Sequence, residues 1–277
     1  MNLKTLKNRK NVKLYNWNDY NPDKDVFLYK IFSYENFLKW IKNDEVRFDQ
    51  VSKWEDVYEL FLFKQNYKNN GNNIDFDSAS KAIYGQSWSL DGNSDALWRI
   101  YSPDKLSVKI KVSTNKIIEL LNNSNALTQK AGIYIGKVEY YDEKTIIDKI
   151  KNEYIPNGIL LEETIVDSLF VKRDSFSYEK EVRIVLWKEY DLNCPLKQCL
   201  GCAKSNNYPQ KDCQPIVSPY LNLKMHPADF IEEVEFDFRL DDNLCSAFTY
   251  ALQNLLPNKV IIKKSSLGTI KKSTYNI

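Results

Sequence analysis

Strand-like and helix-like stretches alternate along the whole chain without settling into a regular strand–helix–strand repeat. That feature narrows the fold most, because a doubly wound parallel sheet is built from such a repeat. No linker or internal repeat interrupts the alternation. The chain therefore reads as a basic arm over 1–25 followed by one mixed α and β domain over 26–277, with a sheet at its centre.

Residues 27–31 (FLYKI) read as a short buried strand. Ser33 then caps a helix over about 34–43, with Phe37, Leu38 and Ile41 on one face and Glu35 in the first turn, where the helix dipole favours an acid. Residues 46–48 form a second short strand, 54–67 follow a helical pattern, and 68–73 have the composition of a loop. Further strands are expected at 84–90, 106–112, 133–141, 182–187, 231–238 and 259–262. Helices are expected at 94–101 with Asn93 as cap, after Ser113 or Thr114, at 143–153, at 158–170 and at 241–254. Residues 194–219, rich in cysteine and proline, stand out as an irregular insertion.

Composition closes off several classes of function. Lys plus Arg number 39 against 37 Asp plus Glu, so the net charge of +2 gives no bulk argument for a nucleic-acid partner. Lys4, Lys7, Arg9, Lys10 and Lys13 precede the first acid, Asp19. With no apolar run behind them they do not form a signal peptide, and they read as a solvated arm that adds little stability. No run approaches the roughly 18 apolar residues needed to cross a bilayer, so a cytoplasmic protein without a membrane partner is expected. A single histidine, His226, excludes HxH metal sites and paired-imidazole chemistry. Neither a Gly-x-Ser-x-Gly elbow, a Walker A loop nor a Gly-x-Gly-x-x-Gly turn is present.

Carboxylate chemistry remains. In the stretch SYEKEVR, 177–183, a period of two puts Glu179 and Glu181 on one strand face with Arg183 next along it. Two carboxylates at a strand edge can stabilise an oxocarbenium-like transition state and orient the attacking group. The plainer reading is a solvated edge strand with alternating charge. Upstream, Ser87-Trp88-Ser89 puts two hydroxyls at a strand end just before a turn, a common place to hold a ligand. The spacing of Cys194, Cys199, Cys202 and Cys213 could wrap a tetrahedral structural zinc, with four free thiols as the alternative. A cytosolic chain argues against disulfides.

Three ordered blocks resemble a bacterial family known as domain of unknown function 2971. They are Leu28-Tyr29-Lys30 with Ser33, Asn36-Phe37-Leu38 and Glu45-Val46-Arg47-Phe48; Ser87-Trp88-Ser89 with Ala96-Leu97-Trp98-Arg99-Ile100-Tyr101; and Ser177-Tyr178-Glu179-Lys180-Glu181-Val182-Arg183-Ile184. Arg99-Ile100 replaces the family's serine–histidine and Phe176 its tryptophan, and the Cys-rich insertion is additional. The block order is similar to that of ADP-ribosyltransferase folds, including the DNA-modifying toxin group. The resemblance implies an α+β fold with a largely antiparallel, split sheet flanked by helices, and NAD as substrate. By the same resemblance Tyr29 and Lys30 lie on a ligand-binding first strand, and Ser87 and Ser89 hold the nicotinamide ribose. Trp88 and Trp98 pack behind them, Arg99 faces phosphate, Glu181 is the catalytic carboxylate and Glu179 assists it.

The leading expectation is an ADP-ribosyltransferase or other NAD-consuming effector, a toxin or anti-phage defence protein. It would act on a nucleic-acid or protein acceptor, with a partner protein from a defence or toxin operon. A ligand-sensing or interaction module without turnover is the second reading. A metal-dependent nuclease comes last, because Glu181-Val182-Arg183 has arginine where lysine is wanted. Late-strand glutamates close to the strand of Ser87 and Ser89 favour the enzyme; glutamates on the opposite side of the sheet remove it.

Overall fold

The computed structural model describes residues 4–5, 12–69, 72–74, 77–124, 127, 132–154, 162–187 and 218–269. The candidate zinc ligands Cys194, Cys199, Cys202 and Cys213, with nearly all of the 194–219 insertion, lie outside the described residues. Among those that are described, no group of three or more His, Cys, Asp or Glu could hold a metal ion. Nor is any described helix long and apolar enough to cross a membrane.

In chain order the strands are β1 (Lys4–Thr5), β2 (Val12–Tyr15), β3 (Phe27–Ser33), β4 (Glu45–Gln50), β5 (Tyr67–Asn69), β6 (Asn72–Ile74), β7 (Ile83–Ser89) and β8 (Ser107–Ser113). They continue with β9 (Gly132–Lys137), β10 (Glu139–Tyr141), β11 (Val171–Arg173), β12 (Glu181–Trp187), β13 (Tyr220–Lys224), β14 (Ile231–Phe236) and β15 (Ile261–Lys264). The helices are α1 (Tyr34–Asn43), α2 (Phe61–Lys64), α3 (Asp77–Ser80), α4 (Asp95–Tyr101), α5 (Thr114–Asn123), α6 (Glu143–Lys149), α7 (Glu162–Ser168) and α8 (Asp242–Gln253). The architecture is α+β, with mixed and mostly antiparallel strands flanked by helices.

Where the sequence reads as one uninterrupted domain, the fold groups into two compact units. One comprises Met1–Asn21, Arg47–Trp88 and Ile118–Lys224; the other Pro22–Val46, Ser89–Ile117 and Met225–Ile277. Each unit is assembled from three stretches, and three of the five passages between them fall inside β4, β7 and α5. That is why no linker marks the division.

In the first unit the strand order is β1-β2-β9-β12-β7, with β4 joined to both β7 and β13. β9 and β12 pair antiparallel from Val182↔Lys137 to Trp187↔Gly132. All seven residues of β12 are buried, as expected for a strand covered on both faces. β2 adds to β9 in parallel, Val12↔Ile133 through Tyr15↔Gly136. A side chain at Gly136 would overlap the Tyr15 carbonyl oxygen and crowd Phe170. Its absence lets the Tyr15 ring stack on Phe170 at 4.8 Å. Leu62, Phe63, Ile165, Leu169 and Val185 complete this core.

The second unit holds β3, β8, β14 and β15 in that order, antiparallel except for β14 with β15. Register puts Leu28, Val108, Ile110, Val112, Val234 and Phe236 on one face, all fully buried. Phe37, Trp40 and Ile41 of α1 cover that face. Tyr29, Lys109, Lys111, Glu233 and Glu235 project from the other, the alternation a strand imposes.

Several expectations change. The helix expected over 54–67 shrinks to α2, and 54–60 runs as turns. Asp56 and Glu59 make ion pairs with Arg173, Lys172 and Arg183, so tertiary contacts override the local helical pattern. The cap of α4 is Ser94, which accepts the Leu97 N–H; the Asn93 N–H instead donates to Asp91. The strand expected at 133–141 breaks at Val138, whose N–H donates to the Glu181 carbonyl, and β10 then pairs in parallel with β11. The basic arm is shorter than expected, since Val12, Leu14, Trp17 and Tyr20 are all buried.

Leu14, 2% exposed, sets the value of that N-terminal segment. Leu14→Ala is expected to destabilise the protein by about 2–5 kcal/mol in urea denaturation, the range for a large-to-small change in a packed core. An unchanged midpoint would return 12–15 to a dispensable arm.

Candidate active site: a buried cluster of three carboxylates and two cations

β12 enters the sheet on a charge. Glu181 and Arg183, two apart, project from the same face as Val185 and Trp187. Both are buried, Arg183 at 1% exposure. The Arg183 guanidinium meets the Glu181 carboxylate with two nitrogens, Nε to Oε1 at 2.7 Å and Nη2 to Oε2 at 3.0 Å. Nη1 donates to the Leu169 carbonyl at 2.6 Å, and Nη2 also meets Glu59. The indole of Trp54 lies over the guanidinium at 4.3 Å. Such two-point pairs are short, charge-assisted and directional.

Glu179 joins the cluster by a route that strand alternation does not describe. It ends a 3-10 turn over Asp174–Glu179, and Lys180 then takes a left-handed conformation, φ 43. The reversal returns Glu179 to the side of Glu181, where Lys172 of β11 bridges them: Nζ lies 2.6 Å from Glu179 Oε2 and 3.2 Å from Glu181 Oε2. Lys172 also contacts Glu59 at 3.3 Å. A left-handed non-glycine residue costs about 1–2 kcal/mol and persists only where its surroundings fix it, which is common at functional sites. The backbone of Glu181 is fixed as well, its N–H donating to the Tyr140 hydroxyl at 2.8 Å.

Three carboxylates face two cations, leaving a surplus of one negative charge. Burial pushes the Glu181 carboxyl up, but Arg183, Lys172 and the Ser87 hydroxyl outweigh it and hold the group down at about 2. Glu59 moves the other way: burial dominates and raises it, even though it touches the same two cations. The two directions are consistent if the surplus charge falls on Glu59, which shares Arg183 Nη2 with Glu181 and has no two-point contact of its own. Lys172 is raised despite its burial, by Glu181 and Glu59.

The expected site residues fall into two groups. Glu179, Glu181 and Ser87 come together in the first unit: β7 is the sheet neighbour of β12, and the Ser87 hydroxyl hydrogen-bonds to Glu181. Tyr29, Lys30, Ser89 and Arg99 belong to the second unit. Tyr29 and Ser89 are paired across β3 and β7. The Ser89 hydroxyl accepts the Asp91 N–H at 2.9 Å, so it also closes the turn that follows. That turn lies against the Tyr29 ring, which a Cβ on Gly92 would meet at 2.5 Å. The glycine is needed for close approach. Lys30 lies over the Phe32 ring at 5.5 Å. Arg99 sits on the outer face of α4, paired with Asp95 one turn earlier at 2.6 Å. Trp88 and Trp98 are buried.

Glu59, Lys172 and Trp54 were missed by sequence reasoning. Glu59 and Trp54 were absorbed into an expected helix, and Lys172 follows directly on another. The one local signal was Val171-Lys172-Arg173, too short to stand out as a strand.

Glu181→Gln keeps the shape but exchanges the two-point ion pair with Arg183 for a neutral amide; Glu59 still pairs with the guanidinium, so the expected cost is about 1.5–3 kcal/mol, the range for a hydrogen bond to a charged group. The contribution of Glu181 carries a definite sign with pH. Its folded value of about 2 lies below the ordinary 4.5, so the stabilisation is complete above 4.5 and is lost as pH falls from there towards 2. Urea melts from pH 3 to 7 should therefore show the gap between wild type and Glu181→Gln widest at neutral pH and narrowing below 4.5. A constant gap would contradict this arrangement.

Residues 97–184 match the model of the family described as "Protein of unknown function (DUF2971)". That span includes Arg99, Lys172, Glu179, Glu181 and Arg183. No curated protein matches the chain by sequence. Among solved structures the chain is similar to "Thermus sp. 2.9 DarT in complex with ADP-ribosylated ssDNA", at 7% identity, over 87% of this chain and 94% of that one, with a TM-score of 0.35. A score that low does not establish a shared fold. The family resemblance seen in the ordered sequence blocks is borne out by the match over 97–184.

Proposed function

We propose that the protein is an NAD-consuming enzyme of the ADP-ribosyltransferase kind, transferring ADP-ribose to an acceptor or to water. The observation that carries this reading is the meeting of Glu181 with Ser87. An ionised carboxylate, held by Arg183 and Lys172, lies against a hydroxyl of the neighbouring strand, with Glu179 alongside. As nicotinamide leaves, the ribose carbon gains positive charge. A fixed carboxylate stabilises that state more than the ground state, and excluding water strengthens the effect. In this proposal Glu181 faces the sugar carbon, Glu179 orients the attacking group and Ser87 holds the ribose. Tyr29, Ser89 and Arg99 are the proposed ligand contacts of the second unit; Lys30, in register with Ile110, projects from the opposite face of β3 and takes no part. A role in a toxin or anti-phage system, in the cytoplasm with an operon partner, belongs to the same proposal.

One observation favours a second reading, a non-catalytic ligand-binding module. The Glu181 side chain is only 3% exposed, and both its oxygens are engaged by cations. A carboxylate used in this way also serves purely to lock β12 to its neighbours.

The two readings separate in one assay. Purified protein is incubated at 15 °C with labelled NAD, with single-stranded DNA or lysate protein as acceptor, and folding of each variant is verified by circular dichroism. The enzyme reading expects wild type to release nicotinamide, folded Glu181→Gln to lose roughly 10²–10³ in rate, and Ser87→Ala to lose about fivefold, the worth of one hydrogen bond. Full activity in folded Glu181→Gln removes the assignment. A wild type that neither consumes nor binds NAD replaces the enzyme with the module.

A further inference from the structure

Glu59 differs in kind from the other two carboxylates of the cluster. Glu179 and Glu181 are built into the approach to β12, whereas Glu59 is delivered by 54–60, which forms neither helix nor strand. That segment is fastened by polar contacts on its outer side, while Leu60, Trp54 and Tyr58 pack on the core beneath it. Arg173 holds Asp56 at 3.1 Å, and the Tyr58 hydroxyl donates to Glu143 at 2.8 Å. Trp54 rests between Arg183 and the space left by Gly85, where a Cβ would come within 2.5 Å of the indole. At the apex Val57 is 68% exposed. The segment thus spans the cluster as a strap, with Glu59 as its inward tooth on Lys172 and Arg183.

We infer that Glu59 occupies a binding position for a singly charged oxyanion, a diester-type phosphate or a carboxylate, and that 54–60 moves aside to admit it. Two facts give the position its chemistry. The guanidinium and ammonium groups are arranged around a carboxylate that is not part of the sheet, and the same donors suit any planar or tetrahedral oxyanion. Charge arithmetic then selects among anions. Without Glu59 the cluster has two carboxylates and two cations and is neutral. A monoanion restores the total that the fold already tolerates, whereas a dianion adds a second buried negative charge, which is costly. The upward push on the Glu59 carboxyl fits a group held less firmly than its neighbours. In wild type the tethered carboxylate competes with any incoming anion, so a ligand must offer further contacts to displace it. The inference stands on the geometry of the strap and does not depend on NAD turnover.

The test is anion rescue of a vacated position. Melting temperatures of wild type and Glu59→Ala are compared at pH 7 and equal ionic strength in chloride, acetate, dimethyl phosphate and sulfate. Glu59→Ala is expected to melt lower than wild type in chloride and to regain about 2–4 °C at a tenfold excess of a bound monoanion over its Kd. Wild type should not respond. A larger gain with dimethyl phosphate assigns the position to a phosphodiester, and a larger gain with acetate to a carboxylate. No gain with either overturns the inference, as does an equal gain in Glu59→Ala/Lys172→Met. A gain over wild type that is greater with the dianion sulfate than with both monoanions overturns the charge assignment. Should Glu59→Ala fail to fold, Asp56→Asn loosens the strap without touching either cation. It should acquire the anion response that wild type lacks, and its failure to do so overturns the inference equally.

Discussion

A guanidinium with almost no contact with water is the constraint around which the first unit is arranged. Arg183 cannot shed its charge, so every donor it carries must be met inside the protein. Glu181 meets it from the same strand, the Leu169 carbonyl from the turn after α7, Glu59 from the strap, and Trp54 covers its face. Three separate parts of the chain are thereby brought to one place. Replacing a buried ion pair with apolar groups of like shape is often neutral, so the pair is weak evidence for stability as such. Its clearer effect is geometric, because a two-point contact fixes the Glu181 carboxylate in both position and ionisation.

The second unit solves a related problem with less precision. Its sheet turns a face apolar but for Lys30 towards α1 and leaves alternating charge on the other. Lys109 is largely enclosed there. It pairs with Glu235, donates to the Gly92 carbonyl and lies over the rings of Tyr29 and Trp98. A lysine stem can occupy apolar surroundings while its ammonium finds acceptors and ring faces. The turn after β7 is therefore held by a cation from below and by Tyr29 from the side. This accounts for Trp98 beside the glycine turn; the buried Trp88 instead donates its indole N–H to Gln86.

Much of this was legible from local pattern. Ser33 as a cap, the apolar face of α1, the run of β12 and the shared face of Glu181 and Arg183 were all readable from local pattern. The convergence of Glu179 was anticipated for the wrong reason, since a left-handed Lys180 and not strand alternation returns it to the cluster. Glu59 could not be read at all: it meets Arg183 across 124 positions, and its surroundings carry a helical pattern that long-range ion pairs override. β2 was hidden by its lysine, because Lys13 points outwards between Val12 and Leu14. Short strands that add to an existing sheet need few apolar residues, and these were outweighed by the charge preceding them.

Five of the six tryptophans, Trp17, Trp40, Trp88, Trp98 and Trp187, are 8% exposed or less, and Trp54 alone stands at intermediate exposure. The residue that covers Arg183 is thus also the indole most open to a neutral collisional quencher such as acrylamide. Intrinsic emission from this chain divides into a large shielded fraction and a small accessible one, and the accessible fraction reports on 54–60. Any event that lifts the strap alters the light from one side chain while the other five stay constant, so the protein carries an optical probe of its own cover without a label.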